Sequence, residues 1–187
     1  MLPRLTKTGH LPPGRHPATL PAIHEQFVEA FPTSTTRAEI WDGFIEYLRS
    51  WDEAEQSAGV EVLRGIWIAG GFTTDAEDPS DIDVSPIYDK GMLDGLNGKP
   101  GSGRLKRLFS HRESIARDYR VEPFALPWAP IASTLFATNL PPAERDMLAV
   151  RGGLDSWWGR TRPPGERVAP QPPTTLAERG YLEVILR

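Results

Sequence analysis

The sequence predicts one α/β (α+β) domain, a small mixed sheet flanked by helices, with two helices at its N-terminal end. Three observations carry this. Two amphipathic segments with a 3.6-residue apolar period precede any strand. Short β-branched and aromatic runs then alternate with charged helical stretches. Finally, 187 residues at 39% apolar and 25% charged content suit a single hydrophobic core.

Taken in order, residues 1–18 carry four of the 19 prolines, and proline fixes φ and removes a backbone donor. The segment reads as an extended N-terminal arm, and 19–187 as the domain. Thr19 is a natural N-cap with Pro21 tolerated in the first turn, and Ile23, Phe27 and Phe31 form an apolar stripe that Pro32 ends. A second helix is predicted from Thr35 or Thr36 to Ala58, with Ile40, Trp41, Phe44, Ile45, Leu48 and Trp51 inward and Gly59 as its stop. Residues 61–69 read as a buried strand closed by a turn at Gly70-Gly71. Residues 81–89 alternate like a second strand, which Pro86 limits to an edge or a bulge. A loop at 95–103, one helix over 104–118 and a third strand over 119–126 follow. Pro141-Pro142 opens a short helix that stops at Gly152-Gly153, 163–173 reads as a second proline-rich arm, and YLEVILR closes as a strand.

Composition narrows the function classes. There is no cysteine, so disulfides, thiolate zinc sites and thiol nucleophiles are excluded. The four histidines lack metal-ligand spacing. A net charge of −4 argues against binding to duplex DNA. No apolar run has the length of a membrane span, and the N-terminus lacks the apolar region of a signal peptide, so a cytoplasmic protein away from membranes is expected.

The chemistry concentrates in IWIAGG, nine residues, then DIDV. A strand ending in Gly70-Gly71 brings backbone N–H groups close enough to cradle a phosphate. Asp81 and Asp83 stand two apart on the next strand, so both face one side while Ile82 and Val84 face the core. Paired carboxylates suit a divalent cation, Mg²⁺ above all. Each feature also has a plainer reading. Asp81 and Asp83 can form a solvated strand face, Gly70-Gly71 a simple tight turn, and Trp157-Trp158 either core or a stacking platform for a base. Residues 75–94 carry seven acids and one base, and 99–120 seven bases and two acids. That juxtaposition suits a metal–triphosphate site, or equally a solvated helix face.

This stretch resembles the signature of the nucleotidyltransferase superfamily, the fold of the DNA polymerase β palm: a hydrophobic strand, a Gly-Gly or Gly-Ser turn, a spacer of about ten residues, and an acidic pair split by one apolar residue. The blocks LPPGRHPATLPAIHEQF, IWIAGGFTTDAEDPSDIDV and GYLEVILR further look like an uncharacterised bacterial family of minimal nucleotidyltransferase-like proteins. The resemblance implies a palm core over about 60–126. It also implies Asp81 and Asp83 as metal ligands, and Gly70 and Gly71 on the triphosphate with a hydroxyl from Thr73 or Thr74. It calls for a third acid acting as base, for which Glu122 is the candidate. The implied function is Mg²⁺-dependent transfer of NMP from a nucleoside triphosphate to a protein, RNA end or small molecule. The alternative is a catalytically degenerate nucleotide-binding protein of the same fold, such as one component of a toxin–antitoxin or defence pair. The chain is too short for a separate acceptor domain, so the acceptor falls to the arms, a homodimer or a protein partner.

Overall fold

The computed structural model describes residues 2–131, 139–162 and 177–186. Six strands form one mixed sheet in the order β1-β6-β2-β3-β4, with β5 also paired to β3. The strands are β1 (Gly14–Pro17), β2 (Leu63–Ala69), β3 (Ile82–Asp89), β4 (Val121–Pro123), β5 (Leu126–Trp128) and β6 (Gly180–Ile185). The helices are α1 (Leu20–His24), α2 (Arg37–Ala58), α3 (Lys90–Gly95), α4 (Ser102–Ser110), α5 (Arg112–Tyr119) and α6 (Pro142–Trp158). Among the described residues no helix is long and apolar enough to cross a membrane.

The sheet is buried on both faces, which is why β2 reads as a continuous apolar run. Ile66 and Ile68 of β2 join Phe44, Tyr47 and Trp51 of α2 and Leu105, Leu108 and Ile115 of α4 and α5 in the larger core. Trp67 and Ala69, one residue out of phase, join Ile87, Leu126, Trp158 and Tyr181 in a smaller core beneath α6.

The N-terminal helices form as their caps dictate. Thr19 accepts from the Ala22 amide, and α1 runs on through a π-type turn at Glu25–Glu29. Gly59 ends α2 in the left-handed conformation, φ 68°. Four expectations are corrected. Residues 2–18 are not an extended arm apart from the domain but part of it. Leu2 and Leu11 are buried, and β1 pairs in parallel with β6 as the edge of the sheet. Pro86 lies in a strand paired on both sides, but at the step where the neighbour changes from β4 to β5, between register positions Val84 and Ile87. The single helix expected over 104–118 is two, broken at His111 (φ −98°, ψ 58°). Helix α6 runs through Gly152-Gly153 to Trp158, because Leu154, Trp157 and Trp158 beyond them pack on the smaller core. The proline-rich stretch 163–173 lies outside the described residues.

One buried cation organises the connection from β2 to β3. Arg37, 1% exposed, donates from Nη1 to the carbonyls of Phe27 (2.8 Å) and Phe72 (2.8 Å) and from Nη2 to those of Thr74 (2.9 Å) and Ala76 (2.6 Å). Its guanidinium lies 3.8 Å from the centre of the Phe31 ring. A guanidinium replaces water for four carbonyls at once, and nothing apolar can. Arg37→Met is therefore expected to cost about 3 kcal/mol or more in equilibrium denaturation; a loss below about 1 kcal/mol would show that these bonds are replaceable.

Candidate active site at the Gly70-Gly71 turn

Register places the site. In the antiparallel β2–β3 pair Ala69 lies opposite Asp83, so the turn after β2 meets the start of β3. In the parallel β3–β4 pair Asp83 lies beside Glu122. Gly70 sits at φ 72°, ψ −159°, and a Cβ there would fall on Oδ2 of Asp83. Only glycine permits that conformation and that approach. Gly71–Thr73 then form one 3₁₀ turn.

Gly70, Gly71, Thr74, Asp81, Asp83 and Glu122 line one cleft of about 450 Å³. That volume suits a small-molecule ligand. All the acids named from sequence thus come together, the last by a crossover through α3, α4 and α5. Thr73 does not join them. It is fully buried, donating its hydroxyl proton to the Gly70 carbonyl (3.1 Å) and accepting from Arg179 (2.9 Å), so its oxygen is used within the turn. Thr74 donates to the Gly71 carbonyl (2.7 Å).

The acids crowd one another. Burial first, then the charges of Asp81 and Glu122 and a hydrogen bond with Glu122, push the Asp83 carboxyl up to about 7, against the pull of Arg179. Glu122 accepts from Nη2 of Arg112 at 2.7 Å, and that guanidinium stacks 4.1 Å from the Phe124 ring centre. A third wall is aromatic: Phe124, Trp157 and Trp158. Trp158 is core and site together. It is buried, donates to Ser85 Oγ (3.0 Å) and meets Phe124 edge to face at 5.0 Å, while Trp157 is only half-buried.

The cations of the cleft are not those of the basic run. Arg104 pairs with Glu53, Arg112 with Glu122, Arg117 with Asp118 and Arg120 with Glu39. Most of the acidic block is likewise used locally. Asp78 holds Ser34 and Thr35 ahead of α2, its carboxyl kept below the usual range by the Thr35 amide, and Asp89 caps α3 and pairs with Arg64. The cleft draws its positive charge instead from Arg160, Arg162 and Arg179, with the His10 imidazole beside them, its proton affinity lowered by burial and then by the Arg179 charge; sequence reasoning missed all four. No sequence pattern marks Arg179; the observed β2–β6 register, extended from Ile68↔Leu182, puts position 179 opposite Gly71.

A divalent cation fits the acids in charge and donor type, since hard oxygen ligands suit Mg²⁺ and crowded carboxylates favour a cation. Among the described residues, however, no three His, Cys, Asp or Glu side chains gather into a ready metal-binding group. Asp81 and Asp83 fit as a two-carboxylate holder, the arrangement in which Mg²⁺ keeps waters and takes phosphate oxygens.

Fold and site together define an α+β protein with an acid-and-base-walled cleft where the inner strands of its sheet end. The chain belongs to DUF6932, a family of unknown function, over residues 3–185. No curated protein and no solved structure matches it.

The Asp83 shift gives a stability test. Its folded value exceeds its unfolded one, so the folded state holds the extra proton between about pH 4 and 7, and stability falls as pH rises through that window. Asp83→Asn is expected to raise the melting temperature by several degrees at pH 8 and to change it little at pH 4. An equal shift at both pH values would contradict the burial of this charge.

Proposed function

We propose that this protein is a minimal nucleotidyltransferase-like enzyme that binds a nucleoside triphosphate in the cleft and transfers its NMP group to a hydroxyl acceptor, breaking the α–β anhydride bond and releasing pyrophosphate. The observation that carries the reading is the meeting of Asp81, Asp83 and Glu122 with the Gly70-Gly71 turn in one cleft. Asp81 and Asp83 would hold Mg²⁺, which when bound supplies Lewis-acid stabilisation of charge on phosphoryl oxygens. The amides of the Gly70-Gly71 turn, whose residues carry no side chains of their own, donate to phosphate oxygens. The half-buried face of Trp157 offers the base a stacking surface. Glu122, on release from Arg112, accepts the proton of the acceptor hydroxyl. A cytoplasmic location, where triphosphates are available, goes with this reading, as does an acceptor presented by a partner protein or second copy.

The pairing of Glu122 with Arg112 favours a second reading, in which the cleft binds nucleotide without turnover. Incubation with triphosphates labelled at the α-phosphate separates the two. Transfer of label by the wild type with Mg²⁺, lost to background in Asp81→Ala and Asp83→Ala, supports the enzyme. Mg²⁺-dependent binding without transfer supports the degenerate form. If both variants keep wild-type nucleotide affinity, where at least about a tenfold loss is expected, neither reading stands.

A further inference from the structure

The cleft has two charged walls, and the reading above employs only the acidic one. The basic wall comes from parts of the chain remote in sequence: Arg160 and Arg162 after α6 and Arg179 before β6, with the neutral ring of His10, before β1, beside them. We propose that His10 and Arg179 form a subsite for the outer phosphates of a polyphosphate chain, so that the cleft selects triphosphates over monophosphates. This deepens the nucleotidyltransferase reading and rests on it.

Arg179 is 9% exposed, an unusual depth for an arginine. Only Nη2 bonds to the described residues, donating to the Gly70 carbonyl (2.7 Å) and Thr73 Oγ1 (2.9 Å). Among the described residues its buried Nε has no partner. A guanidinium offers five N–H donors in a planar fork, and the fork matches phosphate. Here half of the fork fixes the turn and, among the described residues, the rest is unused, at a desolvation cost that an arriving anion offsets. His10 repeats the pattern. Its backbone is tied to the same turn by a bridge to Thr74 and by the Asp75 amide donating to the Gly9 carbonyl (2.9 Å), yet among the described residues its buried Nδ1 has no side-chain hydrogen-bond partner, and burial and the Arg179 charge keep the ring neutral, a donor rather than a cation. Two incompletely bonded nitrogen side chains thus sit in one cleft against one glycine turn.

The position fits the outer phosphates. Arg179 grips Gly70 from the β6 side, whereas Asp81 and Asp83 reach the turn from β3. A phosphate chain laid over the turn meets Arg179 from the β6 side and runs on along the glycine amides toward β3, whereas a single phosphate reaches only one of these.

The test is calorimetric titration of the full chain with inorganic tripolyphosphate and, separately, inorganic phosphate, in metal-free buffer. The wild type is expected to prefer tripolyphosphate. Arg179→Gln should lower the ratio of the two affinities about tenfold and His10→Ala about threefold, with Arg179→Lys in between. Arg179 also fixes the turn, so melting curves establish which variants are folded; if Arg179→Gln is not, His10→Ala and Arg179→Lys decide. A wild type without the preference, or folded variants with an unchanged ratio, would overturn the subsite. Tripolyphosphate binding as expected, with no label transfer from any triphosphate, would leave the subsite standing and sink the transferase reading. Label transfer with an unchanged ratio would do the reverse.

Discussion

The segment from Gly70 to Ala76 is held between two buried guanidinium groups, and the site depends on that grip. Arg37 collects the carbonyls of Phe72, Thr74 and Ala76 from one side and ties them to Phe27 beside α1. Arg179 takes the Gly70 carbonyl and the Thr73 hydroxyl from the other. A loop this polar has too few partners of its own for its backbone, and buried carbonyls must be satisfied. The two arginines supply donors without adding a strand or a helix. The turn is thereby fixed against β3, with its glycines open to the cleft.

The sheet does the rest through register. β3 has β2 on one side and β4 on the other, so Asp83 lies beside Ala69 and Glu122 at once. The strand period of two sends Ile82 and Val84 into the larger core and leaves Asp81 and Asp83 on the face that α6 covers. Helix α6 then closes that face with Trp157 and Trp158, so one element both packs the smaller core and walls the cleft. Stability and site share the same side chains, and Asp83 shows the conflict. The position that completes the acid cluster is one where burial and like charge both oppose ionisation.

Local patterns were legible in the sequence, and long-range pairing was not. Helix α2 announced itself through its apolar stripe and Gly59, and β2 and β3 through β-branched runs bounded by glycine and acid. The spacing of Gly70-Gly71 to Asp81 and Asp83 located the cleft, and Glu122 followed as an acid on the next strand. What escaped required knowing which strands are neighbours. The N-terminal segment looked like an arm because its prolines disfavour a central strand, yet an edge strand tolerates them, and β1 is an edge. His10 and Arg179 reach the cleft only through the pairing of β6 with β1 and β2, which no local pattern encodes. Gly152-Gly153 carried a stop signal that packing beyond them overrode. The basic run was visible, but ion pairs with Glu53, Asp118 and Glu39 turn three of its seven cations to other uses, and Arg112 goes to Glu122.

The most direct measurement of the central claim, that the acids and the glycine turn form one cation and nucleotide site, is paramagnetic broadening of backbone amide resonances by Mn²⁺ with a nucleoside triphosphate. The account predicts that substoichiometric Mn²⁺ first broadens Gly70, Gly71, Asp81 to Val84 and Glu122, and that Asp81→Ala abolishes the effect. Broadening centred elsewhere, for example on the Lys90–Asp94 pair of α3, or no selective broadening at all, would contradict it.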